Sequence, residues 1–213
     1  MHKEFNKTAG FSLILGSVLL TITMILHPSG GDIDHILRIK NVIILSHSLA
    51  IFSLPFLTFG FYRFHLTLNT KSRISLLAFI IICFGLLAAM IAATINGLTL
   101  PLFLSNFTSN ETNIKLINTI RNYGSSINIP MDYILISSMA LSTGIWSILI
   151  VLTSKYQKWI GYYGILLIVL LVISIFSSLS LVHLSGFRLL IFGFVSWVII
   201  TGISLIIKAK EID

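Results

Sequence analysis

Charged residues are scarce in this chain, and their scarcity excludes a soluble globular protein. Asp, Glu, Lys and Arg together make up 10% of the 213 residues, whereas soluble domains carry about 25%. The mean hydropathy is +1.00. None of the four charged residue types occurs in six long apolar stretches: 8–31, 41–62, 74–110, 133–154, 159–187 and 189–207.

Each of these stretches is long enough to cross a bilayer as one helix. About 20 apolar residues span a hydrocarbon core of about 30 Å, and a helix satisfies its own backbone hydrogen bonds where water is absent. The sequence therefore predicts an all-α bundle in which residues 1–213 form a single transmembrane domain. The six predicted spans are 9–27, 41–64, 73–98, 131–153, 159–182 and 188–207.

The distribution of basic residues predicts that both termini are cytoplasmic. This orientation puts nine Lys and Arg residues inside and five outside, in agreement with the positive-inside rule. The net charge of +7 is thus a topology signal, and no nucleic-acid partner is expected. A composition rich in Ile, Asn and Lys is typical of AT-rich bacterial genomes, which favours a multi-pass protein of the bacterial inner membrane.

The sequence also lacks the motifs of several enzyme and carrier classes. It contains neither HExxH nor a Walker loop nor a dinucleotide fingerprint. No carboxylate or basic side chain lies deep in a predicted span, which argues against a proton pump or an ion-coupled carrier. The single cysteine, Cys83, permits no disulfide within one chain. A non-enzymatic role is favoured, with enzymatic activity left open.

The longest predicted loop, 99–130, contains a further helix. Thr108 and Glu111 have the spacing of a capping box, isoleucines then recur on one face, and Gly124 closes the run. We expect a short amphipathic helix over 110–123, either an interfacial connector or a lid over the bundle.

Polar side chains collect near the predicted outer ends of the spans. His47 lies inside its span, where an imidazole requires a hydrogen-bond partner; a packing bond and a ligand-facing role both remain open. Arg188, at the start of the sixth predicted span, would pair with an anionic group. The candidate ligand-binding residues are His47, Asn96, Asp132, His183 and Arg188.

Histidines at the same end are also candidate metal ligands. Imidazole binds transition metals, and two histidines can hold a haem. We therefore consider His47 and His183 as metal ligands, with His27 as a further candidate. Helix ends at a membrane boundary also carry histidines for purely structural reasons, and this alternative stays open.

Two apolar segments share the same flanking residues. Each begins with KxxG, at 7–10 and 158–161, and each is followed by HxSG, at 27–30 and 183–186. The pattern predicts that two parallel helices deliver similar groups to one surface, and it is also what a duplication would leave.

Two stretches resemble bacterial families of six-helix integral membrane proteins without an assigned function. The first, IWSILIVLTSKYQKWIGYYGILLIVL (145–170), has a Trp in an outgoing helix, a short basic link and a Trp-Ile-Gly that opens the next helix. The second is GFRLLIFGFVSW (186–197), with an Arg shortly after a Gly. The resemblance implies six helices and no particular activity.

The predicted function is the binding of a small or lipidic ligand, or of a partner subunit, through a polar pocket in the outer half of the bundle. One alternative is a membrane cytochrome or metal-binding protein that uses the outer histidines. Another is a lipid-modifying membrane enzyme, with His47 or His183 as general base and Asp132 to orient it.

Overall fold

A computed structural model describes residues 2–28, 31–68, 73–106, 111–177 and 184–210, and in these ranges all regular structure is helical. The side chains of 111–113 are not among those described. The elements are α1 (His2–Leu26), α2 (Ile33–Arg38), α3 (Lys40–Leu68), α4 (Ile74–Ala92), a π-helix (Ala93–Thr99), α5 (Leu100–Leu104), α6 (Glu111–Thr153), α7 (Lys158–Phe176) and α8 (Leu184–Lys210).

Within these ranges, six helices are long and apolar enough to cross a membrane. They are α1, α3, the continuous segment from α4 to α5, α6, α7 and α8. The predicted all-α bundle of six spans is confirmed, and it is compatible with a multi-pass integral membrane protein. The cytoplasmic placement of the termini stays a prediction.

The fourth span differs from the prediction, because α6 runs without interruption for 43 residues. The expected end of a short helix at Gly124 is wrong. Asn96 Nδ2 donates to the carbonyl oxygen of Gly124 at 3.3 Å, and a Cβ at Gly124 would lie 2.9 Å from Asn96 Oδ1. This glycine permits a close contact between helices and does not terminate one. Pro130 also lies inside α6.

Two other predicted boundaries also shift. The third span continues beyond residue 98 through the π-helix to Leu104. The last span, predicted over 188–207, already begins at Leu184. Of the span predicted over 159–182, α7 accounts for Lys158–Phe176, and residues 178–183 lie outside the described part of the chain.

Helix α1 packs between α3 and α8, and glycines bring the backbones together. A Cβ at Gly10 would lie 2.5 Å from the carbonyl oxygen of Gly202. A Cβ at Gly161 would lie 2.6 Å from the carbonyl oxygen of Ser147, where α7 meets α6. Small residues permit such approaches between membrane helices. Both KxxG glycines are therefore points of close helix packing.

An aromatic core joins α3, α6 and α8. The rings of Trp146 and Trp197 stack with centroids 6.4 Å apart and planes 10° apart. Phe61 stacks on Trp146 at 5.3 Å, and Phe64 meets Trp197 edge-on at 6.0 Å. All four side chains are fully buried.

The two indole N–H groups extend this core to neighbouring helices. Trp146 Nε1 donates to Ser75 Oγ of α4 at 3.2 Å. Trp197 Nε1 donates to the carbonyl oxygen of Ile160 in α7 at 3.2 Å. Buried indoles require such partners, so the aromatic core connects five of the six long helices.

Gly10→Ala should lower the free energy of unfolding by about 1–3 kcal/mol, because the new methyl group meets backbone that cannot move aside as a side chain can. Reversible unfolding of the detergent-purified chain measures this change. Gly144→Ala is the matched control, since its Cβ would lie 4.0 Å from Ile168 Cγ1 and alanine favours helix. Equal destabilisation by both variants would contradict the proposed close contact.

Candidate functional site

A cavity of about 230 Å³ lies between α1, α3, α4, α6 and α8. Four side chains supply most of its polar lining: His27, His47, Asn128 and Asp132. The remaining wall is largely apolar and includes Leu54, Leu86, Leu135, Met139, Ile191 and Phe194.

The cavity is polar at its predicted outer end and apolar deeper in the bundle. On α6, Met139 follows Asp132 by seven residues, and on α3, Leu54 follows His47 by the same number. Seven helical residues correspond to about 10 Å along the axis. The site therefore offers hydrogen-bonding groups at one end and hydrocarbon at the other.

Two histidine rings contact each other at the polar end. The centroids of His27 and His47 are 4.9 Å apart. Nδ1 of His27 lies 3.0 Å from the carbonyl oxygen of Pro28, and Nδ1 of His47 lies 2.8 Å from that of Ile43. A carbonyl oxygen only accepts hydrogen bonds, so each Nδ1 donates. In the neutral imidazole, Nε2 is then the acceptor.

A gap in the third span makes room for His47. A Cβ at Gly97 would lie 1.9 Å from His47 Cγ, so the ring occupies space that only glycine leaves free. Gly97 belongs to the π-helix, a local widening that occurs frequently at functional sites.

A chain of side-chain amides positions Asp132. Asn96 Nδ2 donates to Asn128 Oδ1 at 3.0 Å, and Asn128 Nδ2 donates to Asp132 Oδ2 at 2.7 Å. The cavity is lined by Asn128 and Asp132, and Asn96 is not among its lining residues. Asn96 thus acts through Asn128.

Sequence reasoning missed Asn128, which it placed in a loop. The signal was present, because Asn128 and Asp132 have the i, i+4 spacing of neighbours on one helix face. The two residues can be recognised as neighbours only if α6 is predicted as one continuous helix.

Arg188 connects α8 to the end of α1. Its Nη2 donates to the carbonyl oxygen of His27, and its Nε is buried without a hydrogen-bond partner among the described residues. The guanidinium is not part of the cavity lining. Its predicted pairing with an anionic group stays a prediction.

The predicted metal sites remain partly outside the described structure. His183 lies in the range 178–183, which is not described, so the pairing of His47 with His183 stays a prediction. Across the described ranges, no group of three or more His, Cys, Asp or Glu side chains is arranged to hold a metal ion. The contact between the rings of His27 and His47 leaves no space for a porphyrin between them.

The enzymatic alternative required Asp132 to orient a histidine base. Among the described residues, the hydrogen bonds of His47 go to Ile43 and Ser46, and that of Asp132 goes to Asn128. No hydrogen bond joins Asp132 to His47 in this part of the chain.

Comparisons of the chain with models of protein families, with curated proteins and with solved structures find no significant match. No ligand or residue role is therefore transferred from another protein.

His27 follows directly after α1 and stays neutral at physiological pH. Burial is the main cause, and repulsion from His47 and Arg188 contributes; together they outweigh the hydrogen bond to Pro28 and lower the pKa of His27 to about 4. Its Nε2 is thus a hydrogen-bond acceptor near pH 7.

This shift predicts how stability depends on pH. An unfolded histidine has a pKa of about 6.5, so between about pH 6.5 and pH 4 the unfolded chain binds a proton that folded His27 does not. Above pH 6.5 this histidine is neutral in both states and the full free energy of unfolding is retained. The free energy of unfolding should then fall as the pH is lowered towards 4. Unfolding measured from pH 7.5 to pH 4 tests this, with His27→Gln expected to flatten the decline. An unchanged slope in His27→Gln would contradict the assignment.

Proposed function

We propose that this chain is an integral membrane protein that binds a small amphiphile, with an apolar body and a hydroxyl or amino head group, in the cavity below His27 and His47. The proposal rests on one observation above all: His27, His47 and Asp132 line one end of an interhelical cavity whose other end is lined by apolar side chains. In this proposal the protein binds the amphiphile and does not change it chemically. The partner subunit and the bacterial inner membrane stay predictions.

The acceptors determine the chemistry of the head group. Both histidines use Nδ1 on a backbone carbonyl, and in the neutral form of such a ring Nε2 is left to accept. Asp132 receives one hydrogen bond from Asn128, and a carboxylate can accept several more. A ligand that donates hydrogen bonds compensates these acceptors, whereas one that only accepts leaves them unpaired at an energetic cost.

The volume determines the size of the ligand. Pockets for drug-sized molecules measure about 300–1,000 Å³, and this cavity measures about 230 Å³. A short-chain amphiphile fits, with its tail against Leu54, Leu135 and Met139. Binding sites between the helices of a bundle are common.

A matched pair of probes tests the donor requirement. Octan-1-ol donates a hydrogen bond, whereas 1-methoxyheptane has a similar length and only accepts. A ligand that binds the folded chain raises its unfolding temperature with concentration, so thermal unfolding of the detergent-purified protein ranks the two. We expect the alcohol to bind about tenfold more tightly, the effect of one hydrogen bond of about 1–1.5 kcal/mol. Equal affinities would contradict the proposal.

Three variants locate the binding. Ala89→Phe fills the cavity from α4 and should abolish stabilisation by either probe. Leu87→Phe is the control, because Leu87 lies on the same helix and is exposed. His47→Phe keeps an aromatic ring against Gly97, removes one of the acceptors, and should reduce the preference for the alcohol. Undiminished binding in Ala89→Phe would place the probes elsewhere.

A further inference from the structure

A groove separate from the cavity lies at the opposite end of the bundle, where the link between α6 and α7 approaches the last turns of α8. Its volume is about 420 Å³. Lys155 and Lys208 both line it, and no Asp or Glu is among its described lining residues. This end is the one predicted to be cytoplasmic.

The two ammonium groups of the groove are held by backbone and aromatic partners. Lys155 Nζ donates to the carbonyl oxygen of Thr67 at 3.0 Å. Lys208 Nζ donates to the carbonyl oxygen of Lys155 at 2.9 Å and lies 4.5 Å from the centroid of the Tyr156 ring. Tyr156 is buried and its hydroxyl is 2.6 Å from Thr67 Oγ1. Both lysine side chains are therefore held by partners within the chain before any ligand arrives.

The chain conformation of the link contributes to this arrangement. Ser154 follows the last residue of α6 and has a φ of 51°, in the left-handed region that ends helices. The turn carries Lys155 and Tyr156 back towards the end of α3, where Thr67 receives both side chains.

Much of the remaining lining is apolar and partly exposed, beside three polar residues: Ser154, Gln157 and Ser204. Ile200, Ile203 and Ile207 form one stripe along α8 that lines the groove, and Ile203 and Ile207 are 44% and 48% exposed. Trp159 lines the opposite side and is 51% exposed. Trp is typical of the boundary between hydrocarbon and head groups.

We propose that this groove binds one anionic phospholipid, with its phosphate at Lys155 and Lys208 and an acyl chain along the isoleucine stripe. The combination selects the ligand, because a free anion uses only the lysines and a neutral lipid uses only the stripe. Anionic lipids are concentrated in the cytoplasmic leaflet. This site is separate from the cavity at His27 and His47.

Short-chain lipids provide the probes. Dioctanoyl phosphatidylglycerol, dioctanoyl phosphatidylcholine and glycerol phosphate are titrated into the detergent-purified full chain, and apparent affinities are taken from the rise in unfolding temperature. Only the phosphatidylglycerol should stabilise the protein strongly. Equal stabilisation by phosphatidylcholine would overturn the role of charge, and equal stabilisation by glycerol phosphate would overturn the role of the acyl chain.

Lysine variants locate the head group. Lys155→Gln and Lys208→Gln should each weaken phosphatidylglycerol binding about fivefold, since a lysine near an anionic surface contributes about that factor. Lys158→Gln is the matched control: it removes the same charge three residues from Lys155, and Lys158 is exposed and not part of the groove. A similar loss in Lys158→Gln would show general attraction to anionic lipid and overturn the site.

Two further variants distinguish a loss of lipid binding from a loss of folding. Lys155→Arg keeps the positive charge and should retain binding within about twofold, so a loss in Lys155→Gln is then due to the charge. Ile203→Trp fills the stripe, leaves both lysines in place, and should abolish lipid binding. Unchanged lipid binding in Ile203→Trp would contradict the acyl-chain position.

Discussion

The stacked indoles of Trp146 and Trp197 are the contact on which the rest of the bundle depends. Lipid tails are as apolar as leucine, so burial alone does not draw membrane helices together, and close packing and hydrogen bonds must do so. These two rings supply both. They pack with Phe61 and Phe64 from α3, and their N–H groups bind α4 and α7. Helix α1 joins this assembly through the glycine contact with α8.

The position of the aromatic core explains why a cavity exists at the other end of the same helices. Phe194 has its ring centroid 6.3 Å from that of Phe61 and also lines the cavity, so the edge of the core is the cavity floor. Above that floor the lining also includes Phe187, and the leucines, alanines and short polar groups around it leave space unfilled. The histidine pair, Asn128 and Asp132 line the opposite end.

Much of this architecture could be predicted from the sequence, because charge-free apolar runs of about 20 residues have one stable solution in a bilayer. The ends of the helices could not. Gly124 and Pro130 are ordinary stop signals in isolation, yet α6 passes through both, and at the glycine Asn96 packs against the helix. The site shared this limit: His47 was predicted from its depth and Asp132 from its place at the outer end of a span, whereas Asn128 depended on the continuity of α6.

The length of α6 gives the molecule a part that no bilayer can contain. Its 43 residues extend about 65 Å at 1.5 Å per residue, roughly twice the thickness of the hydrocarbon core. Tilting cannot absorb the difference, so about half of this rod stands in water or among head groups. The same helix carries Tyr123, which is 69% exposed, and further along it Asn128 and Asp132 of the cavity lining. One helix thus joins the lining of the cavity to a segment too long for the hydrocarbon core to contain.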